Sequence, residues 1–283
     1  MSHPDVEAVA RELLSAFETG TMVPIPPSQR PGFDLNAAYD VEASLKQSRE
    51  TAGHKAVGRK VGYANKAMWR VLKLETLVWA HMYDDTVHYS EGDSSERNPA
   101  TLTIAHPRSL KIEPEIVFGL KQPVVNDAAE SPDAAAALAC VDWLALGFEI
   151  IDCPFPEWQF QPSDFVASFG LHAGLVVGER VEVSPDRIAA LMEELPQFKV
   201  RVSKNGEFVE EGSGRNSLQS PALCLAELGR AIVRRSPTEP LRAGEIVSSG
   251  TLTAGHPAGR GDRWTVEVEG LSLLLPPLTL QLT

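Results

Sequence analysis

The stretch SLKIEPEIVFGL, residues 109–120, decides how this chain is read. Strand alternation sends Ile112, Pro114, Ile116 and Phe118 to one face, and Lys111, Glu113, Glu115 and Val117 to the other. Two carboxylates two residues apart therefore point the same way from a largely apolar strand. Like charges at that spacing destabilise a strand unless a cation or a shared proton sits between them. Pro114 has no N–H to give a neighbouring strand, which predicts an edge position or a bulge. A third carboxylate, Glu149, stands between Phe148 and Ile150 in ALGFEIIDCPFP (145–156). A charge in such a run is rarely buried without a partner. Three carboxylates with no Cys or His pattern beside them suit a hard, oxygen-preferring cation (Mg²⁺, Mn²⁺ or Ca²⁺) better than zinc. The plainer alternative is a solvated Glu113–Glu115 face with an arginine partner for Glu149.

The rest of the chain sets bounds. At 283 residues it holds one large domain or two small ones, and 43% hydrophobic with 23% charged residues is ordinary globular usage. A net charge of −12 repels phosphate backbones and anionic membrane surfaces, so nucleic acid and membrane are not expected partners. Three widely spaced cysteines, Cys140, Cys153 and Cys224, fit neither a disulfide framework nor a zinc site, and suit a reducing compartment. MSHPDVEAVA lacks a signal-peptide pattern, and no apolar run reaches the ~18 residues of a membrane span, so the expected location is the cytoplasm.

Helical periodicity covers 5–19, ending at Gly20, and 34–52, with Asp34 as cap and Gly53 as stop. Residues 55–64 read as a strand, followed by a short helix capped by Asn65; 90–100 reads as a polar loop. Asn205-Gly206 predicts a type I′ hairpin. Ser131-Pro132, Ser184-Pro185 and Ser220-Pro221 each predict a helix start with a capping hydroxyl. Strands 245–250, 263–269 and 272–282 close the chain. The expected organisation is an N-terminal α/β region, 1–85, and a β-rich metal-binding catalytic domain, 86–283, packed together around one site.

GRKVGYANKAMWRVL (58–72), HMYDDTV (81–87), KIEPEIVFGL (111–120), GFEIIDCPFPEWQF (147–160) and LRAGEIVSSG (241–250) occur in this order. The series resembles the 2-keto-4-pentenoate hydratases and 4-oxalocrotonate decarboxylases of the fumarylacetoacetate hydrolase superfamily. The resemblance implies an α+β, mixed β-roll fold with a small N-terminal α/β region, and a homodimer or higher homo-oligomer. It implies Mg²⁺ or Mn²⁺ on Glu113, Glu115 and Glu149, with Lys60, Asp84 and Asp85 at a small-molecule 2-oxo acid substrate. The reaction implied is hydration of a 2-hydroxydienoate to a 4-hydroxy-2-oxo acid; the alternatives are decarboxylation of a 2-oxo-enedioate and C–C hydrolysis of an acylpyruvate.

Chemistry assigns the roles within that resemblance. Lys60 offsets the surplus negative charge of three carboxylates and a substrate acid. Asp84, tuned toward neutrality, carries the proton. Asp85, His172 and Thr251 contact the substrate, and Gly58 and Gly62 let a ligand approach the backbone. Two stretches depart from the family pattern. VASFGLHAGLVVG (166–178) replaces an Asp-Asn-x-Ser pattern, and Gln219-Ser220-Pro221 replaces Gly-His-Pro at a helix start. An apolar Phe169 near the site suits a larger or less polar substrate.

Overall fold

The structure, a computed structural model, describes residues 5–90, 98–124, 133–236 and 239–283. Helix α1 (Val6–Thr19) starts where Asp5 accepts from the Ala8 N–H, and stops at Gly20 in the left-handed region. Helix α2 (Leu35–Thr51) is capped by Asp34 and packs on α1. Then follow β1 (Ala56–Gly62), α3 (Lys66–Leu72, capped by Asn65), β2 (Val78–Tyr83), β3 (Val87–Tyr89) and β4 (Ala100–Leu102). The two long strands come next, β5 (Leu110–Leu120) and β6 (Val141–Asp152), separated by α4 (Ala134–Ala139). Beyond them lie α5 (Pro162–Ala167), β7 (His172–Val177), β8 (Val181–Glu182), α6 (Ile188–Glu194), β9 (Lys199–Lys204) and β10 (Glu207–Ser213). Helix α7 (Pro221–Arg235) and strands β11 (Ile246–Ser248), β12 (His256–Pro257), β13 (Arg263–Glu269) and β14 (Leu278–Leu282) complete the chain.

Among the described residues these strands make two mixed sheets. One runs β2-β1-β11-β5-β6-β7-β3, with β12 also on β5 and β8 on β6; the other runs β10-β9-β13-β14-β4. This is the α+β class read from the sequence. Residue 85 lies in the turn between β2 and β3, so both parts of the chain contribute strands to the first sheet. No helix among the described residues is long and apolar enough to cross a membrane.

Some local expectations need correction. β5 is central rather than an edge. Pro114 is tolerated because β11 pairs with Val117–Gly119 and β12 with Lys111 and Ile112, leaving a gap between them. The Pro114 carbonyl points into that gap and accepts from the Leu252 N–H at 2.9 Å; the missing N–H lies on the same side, where no strand asks for it. Helix α4 is capped by Asp133, whose carboxylate accepts from the Ala135 and Ala136 N–H groups. Ser131-Pro132 and most of the polar loop (91–97) lie outside the described residues. Ser184 and Ser220 precede their helical turns, but neither hydroxyl caps them; proline's fixed φ opens both. The Asn205-Gly206 turn joins β9 and β10 with both residues at positive φ, as a type I′ hairpin requires.

Candidate active site

Sheet register builds the site. Glu113 pairs directly with Glu149 across β5 and β6, and Glu115 follows two residues along, so all three carboxylates share one face. On the other flank Val117 pairs with Ser248 of β11, and Ser248 with Lys60 of β1, which brings Lys60 to that same face. One donor oxygen from each of Glu113, Glu115 and Glu149 lies within 4.8 Å of the others. Glu115 and Glu149 are fully buried; Glu113 reaches the wall of an adjoining cavity of about 740 Å³.

The partners of these groups are specific. Lys60 Nζ lies 3.1 Å from Glu149 Oε2, donates to the Gly170 carbonyl at 2.9 Å, and sits 4.7 Å from the centre of the Phe165 ring. Gly170 has φ +61° and packs so tightly on Lys60 that a Cβ there would lie 2.5 Å from Lys60 Cδ. Gly62 does not open the backbone to a ligand: its vacant side is filled by the Phe165 ring, 2.4 Å from where a Cβ would stand. Glu149 Oε1 meets His172 Nδ1 at 2.8 Å, and His172 Nε2 meets Thr86 Oγ1 at 3.1 Å. Glu115 Oε2 accepts from Ser248 Oγ and from the Gly250 N–H. Glu115 Oε1, equally buried, has no hydrogen-bond partner among the described residues.

Electrostatics follow from this packing. Burial pushes the Glu113 carboxyl up to about 7, Lys60 partly opposing it. Burial, then the charges of Glu149 and Glu113, hold Glu115 well above the carboxylate range. Burial also works against Glu149, yet Lys60 and His172 together outweigh it and keep that group below its ordinary value. Lys60 is held above its usual value by the three glutamates, despite burial. Two carboxyls that resist ionisation, beside an orphaned oxygen, form an all-oxygen donor set that a hard divalent cation satisfies. The residues present fit Mg²⁺ or Mn²⁺.

The other expected site residues divide. Thr251 lines the cavity, with Oγ1 donating to the Thr253 carbonyl at 2.9 Å. His172 does not face the cavity; it is buried behind Glu149 and positions it. A metal-ligating group so held loses 10–100-fold in metal affinity when its partner is removed. His172→Gln is accordingly expected to weaken Mn²⁺ binding at least tenfold in a calorimetric titration; unchanged affinity would show that the contact is incidental. Asp84 and Asp85 are not brought to the cavity. They occupy the exposed β2–β3 turn, where Asp84 accepts from the Lys55 N–H at 3.0 Å and Asp85 pairs with Arg49 at 2.5 Å. The Lys55 N–H lowers the Asp84 carboxyl, the opposite of what a proton carrier near neutrality needs. His54 faces this same pair of aspartates and does not line the cavity. Phe169 is core, its ring tilted against that of Phe17 with centres 4.6 Å apart, and does not line the cavity.

Periodicity could not reveal several wall residues. Lys66, Lys111, Trp158, Glu210, and the pair Arg215 and Gln219 on one turn, arrive from five separate segments. A backbone signal marks the place. Of nine non-glycine residues with positive φ among the described residues, five (Tyr63, Trp158, Leu171, Leu218 and Gln219) line this cavity. Strain of that kind persists only where the surrounding structure enforces it, and it concentrates at functional sites.

Residues 56–276 match the fumarylacetoacetate (FAA) hydrolase C-terminal family. A 2-hydroxyhexa-2,4-dienoate hydratase of Comamonas testosteroni is 27% identical over 94% of each chain. A 4-oxalocrotonate decarboxylase of Pseudomonas sp. (strain CF600) is 28% identical over 96% of each. The solved structure of 4-oxalocrotonate decarboxylase from Pseudomonas putida G7, complexed with magnesium and adipate, superposes with a TM-score of 0.83 at 24% identity, covering 98% of this chain and 97% of that one.

Proposed function

Because the chain belongs to the fumarylacetoacetate hydrolase family, we propose that it is a metal-dependent lyase that hydrates a 2-hydroxydienoate to a 4-hydroxy-2-oxo acid. The observation that carries this reading is the buried trio of carboxylates, one oxygen of which lacks any partner, next to a buried lysine at a cavity of about 740 Å³. Glu113, Glu115 and Glu149 would hold Mg²⁺ or Mn²⁺, which as a Lewis acid supplies stabilisation for the negative charge that develops on the oxygen of a 2-oxo acid. Lys60 neutralises the charge that the divalent ion leaves on the three glutamates, and keeps its ammonium fixed through Gly170 and Glu149. His172 fixes the orientation of Glu149. Phe165, Ile151 and Leu171 give the cavity apolar surface that limits water around the dienoate chain. The site draws Lys60–Lys66 from the N-terminal region and the remainder from 86–283, the catalytic part. The protein is further proposed to act in the cytoplasm as a homodimer or higher homo-oligomer.

The test is the loss of dienoate absorbance on 2-hydroxypenta-2,4-dienoate with Mg²⁺ or Mn²⁺, with CO₂ release from 4-oxalocrotonate measured in parallel. Turnover that survives exhaustive chelation would exclude the reading.

A pH dependence follows. An acid whose folded-state value is raised contributes stability that is complete below its unfolded value of about 4.5 and is lost as pH climbs through about 7. Metal binding expels the proton and reverses that loss. Saturating Mg²⁺ should therefore raise Tm more at pH 8 than at pH 5.5. An equal or smaller rise at pH 8 would show that Glu113 is not a ligand.

A further inference from the structure

On the sheet face opposite the three glutamates, two buried nitrogens have nothing to bond. Arg59 and His81 pair directly across β1 and β2, with Lys60 and Ala80 the next pair along. Strand alternation therefore sends Arg59 and His81 away from the metal site. Arg59 is 4% exposed and His81 3%. Yet Arg59 Nε and His81 Nε2 have no hydrogen-bond partner among the described residues. Both side chains line a recess of about 90 Å³. The recess shares Lys46, His81 and Glu239 with a larger cavity of about 670 Å³, which Tyr39 and Trp79 also wall.

The remaining atoms of both side chains are committed. Glu42 of α2 meets His81 Nδ1 and accepts from the His81 N–H at 3.1 Å. Burial works against the Glu42 carboxyl, but the charge and hydrogen bond of His81, helped by Arg59, hold it below its ordinary value. With Nδ1 held by a carboxylate, only Nε2 of the imidazole is left to serve another group. Arg59 Nη1 lies 3.0 Å from Glu245 Oε2, and the guanidinium carbon sits 5.3 Å from the Trp79 ring centre. Directly opposed residues of two strands have Cβ atoms about 4.5–5.5 Å apart, so one small group can reach both unfilled nitrogens.

Charge selects the occupant. Around the recess Lys46, Arg59 and Arg242 are matched in number by Glu50, Glu239 and Glu245. Lys46 Nζ is 3.1 Å from Glu239 and 3.9 Å from Glu50. A cation would stand against the Arg59 guanidinium. A monoanion that arrives with one proton, taken by His81 Nε2, leaves the local charge as it was. A dianion would add negative charge beside Glu239 and Glu245.

We propose that this recess is a second binding site, taking the carboxylate of a small monoanionic acid between Arg59 Nε–H and His81 Nε2–H. The hydrocarbon part of the acid lies in the larger cavity beside Tyr39 and Trp79. Hydrogen bonds from charged donors to a carboxylate are the short, strong kind. Nothing in the assignment depends on the metal or on the 2-oxo acid reading.

Benzoate, which has no 2-oxo group to chelate an ion, and inorganic phosphate serve as probes. Each is titrated into the full chain with saturating Mg²⁺ while the ring-nitrogen resonances of His81 are followed. Benzoate is expected to saturate and to move Nε2 more than Nδ1, with phosphate at least tenfold weaker. His81→Asn keeps a donor near the position of Nδ1 for Glu42 and removes Nε2; it should weaken benzoate at least tenfold. A His81 Nε2 signal that no benzoate concentration shifts would show that water alone fills the recess, and the proposal falls. Phosphate binding as tightly as benzoate would overturn the monoanion assignment. Parent-like affinity in His81→Asn would remove His81 from the site. Should that variant melt far below the parent, the Nε2 resonance of the parent protein decides.

Discussion

Replacing Glu115 with glutamine is expected to lower Mg²⁺ affinity at least a hundredfold, and turnover with it, while making the metal-free protein more stable. The opposite signs come from one geometry. The amide oxygen can still accept from Ser248 Oγ and from the Gly250 N–H, so the side chain keeps its place. The amide nitrogen then stands where the orphaned Oε1 now lies, and presents hydrogens to a cation. A hundredfold loss corresponds to about 2.7 kcal/mol of binding. Without metal, the substitution removes a buried carboxyl that burial and two neighbouring glutamates already oppose. A gain of roughly 1 kcal/mol at pH 8 is expected, since a neutral amide without a partner costs less than a charge. Calorimetric titration with Mg²⁺ and metal-free thermal melts read both signs. Unaltered Mg²⁺ affinity would remove Glu115 from the ligand set.

Lys60→Met should produce the largest loss of stability of any single substitution at the site. Methionine keeps most of the volume but removes the ammonium that sits 4.7 Å from the Phe165 ring centre, so the effect isolates charge. Glu149, 0% exposed, would be left with His172 as its hydrogen-bond partner, and the Gly170 carbonyl would lose its donor. Breaking a buried pair in this way costs about 3–5 kcal/mol. Urea unfolding without metal checks the magnitude. Saturating Mn²⁺ should recover part of the loss, because the ion supplies positive charge to the same carboxylate, yet turnover should stay down at least a thousandfold. A variant as stable as the parent, or one that regains full turnover with metal, would show that Lys60 is not needed to balance the glutamates.

What could be read from residues alone was what period-2 alternation controls. Glu113 and Glu115 share a face because strand geometry leaves no other arrangement, and the register that sets Glu149 opposite Glu113 confirms the isolated carboxylate in an apolar run. Asp5, Asp34 and Asn65 cap their helices as expected, since capping is a contact over two or three residues. The errors fall where the answer depends on something distant. Pro114 looked like an edge marker because the gap between β11 and β12 is created by residues more than a hundred positions away. Gly62 looked open to a ligand because nothing nearby in sequence announces Phe165. Asp84 and Asp85 were expected at the substrate, and the structure sets them in the β2–β3 turn away from the cavity. Which way that turn faces was fixed by Arg49, His54 and Lys55 from α2 and its exit.

The sequence by itself determined that Glu113 and Glu115 share a face and that, with Glu149, they suit a hard cation, because these rest on local periodicity and on the intrinsic preferences of side chains; the α+β class came with the resemblance of its motifs to a known family. Only the tertiary structure decided that Lys60 pairs with Glu149 and that His172 stands behind Glu149 rather than facing the cavity. These are long-range facts: they depend on sheet order and on loops brought together by a core whose packing no single segment encodes.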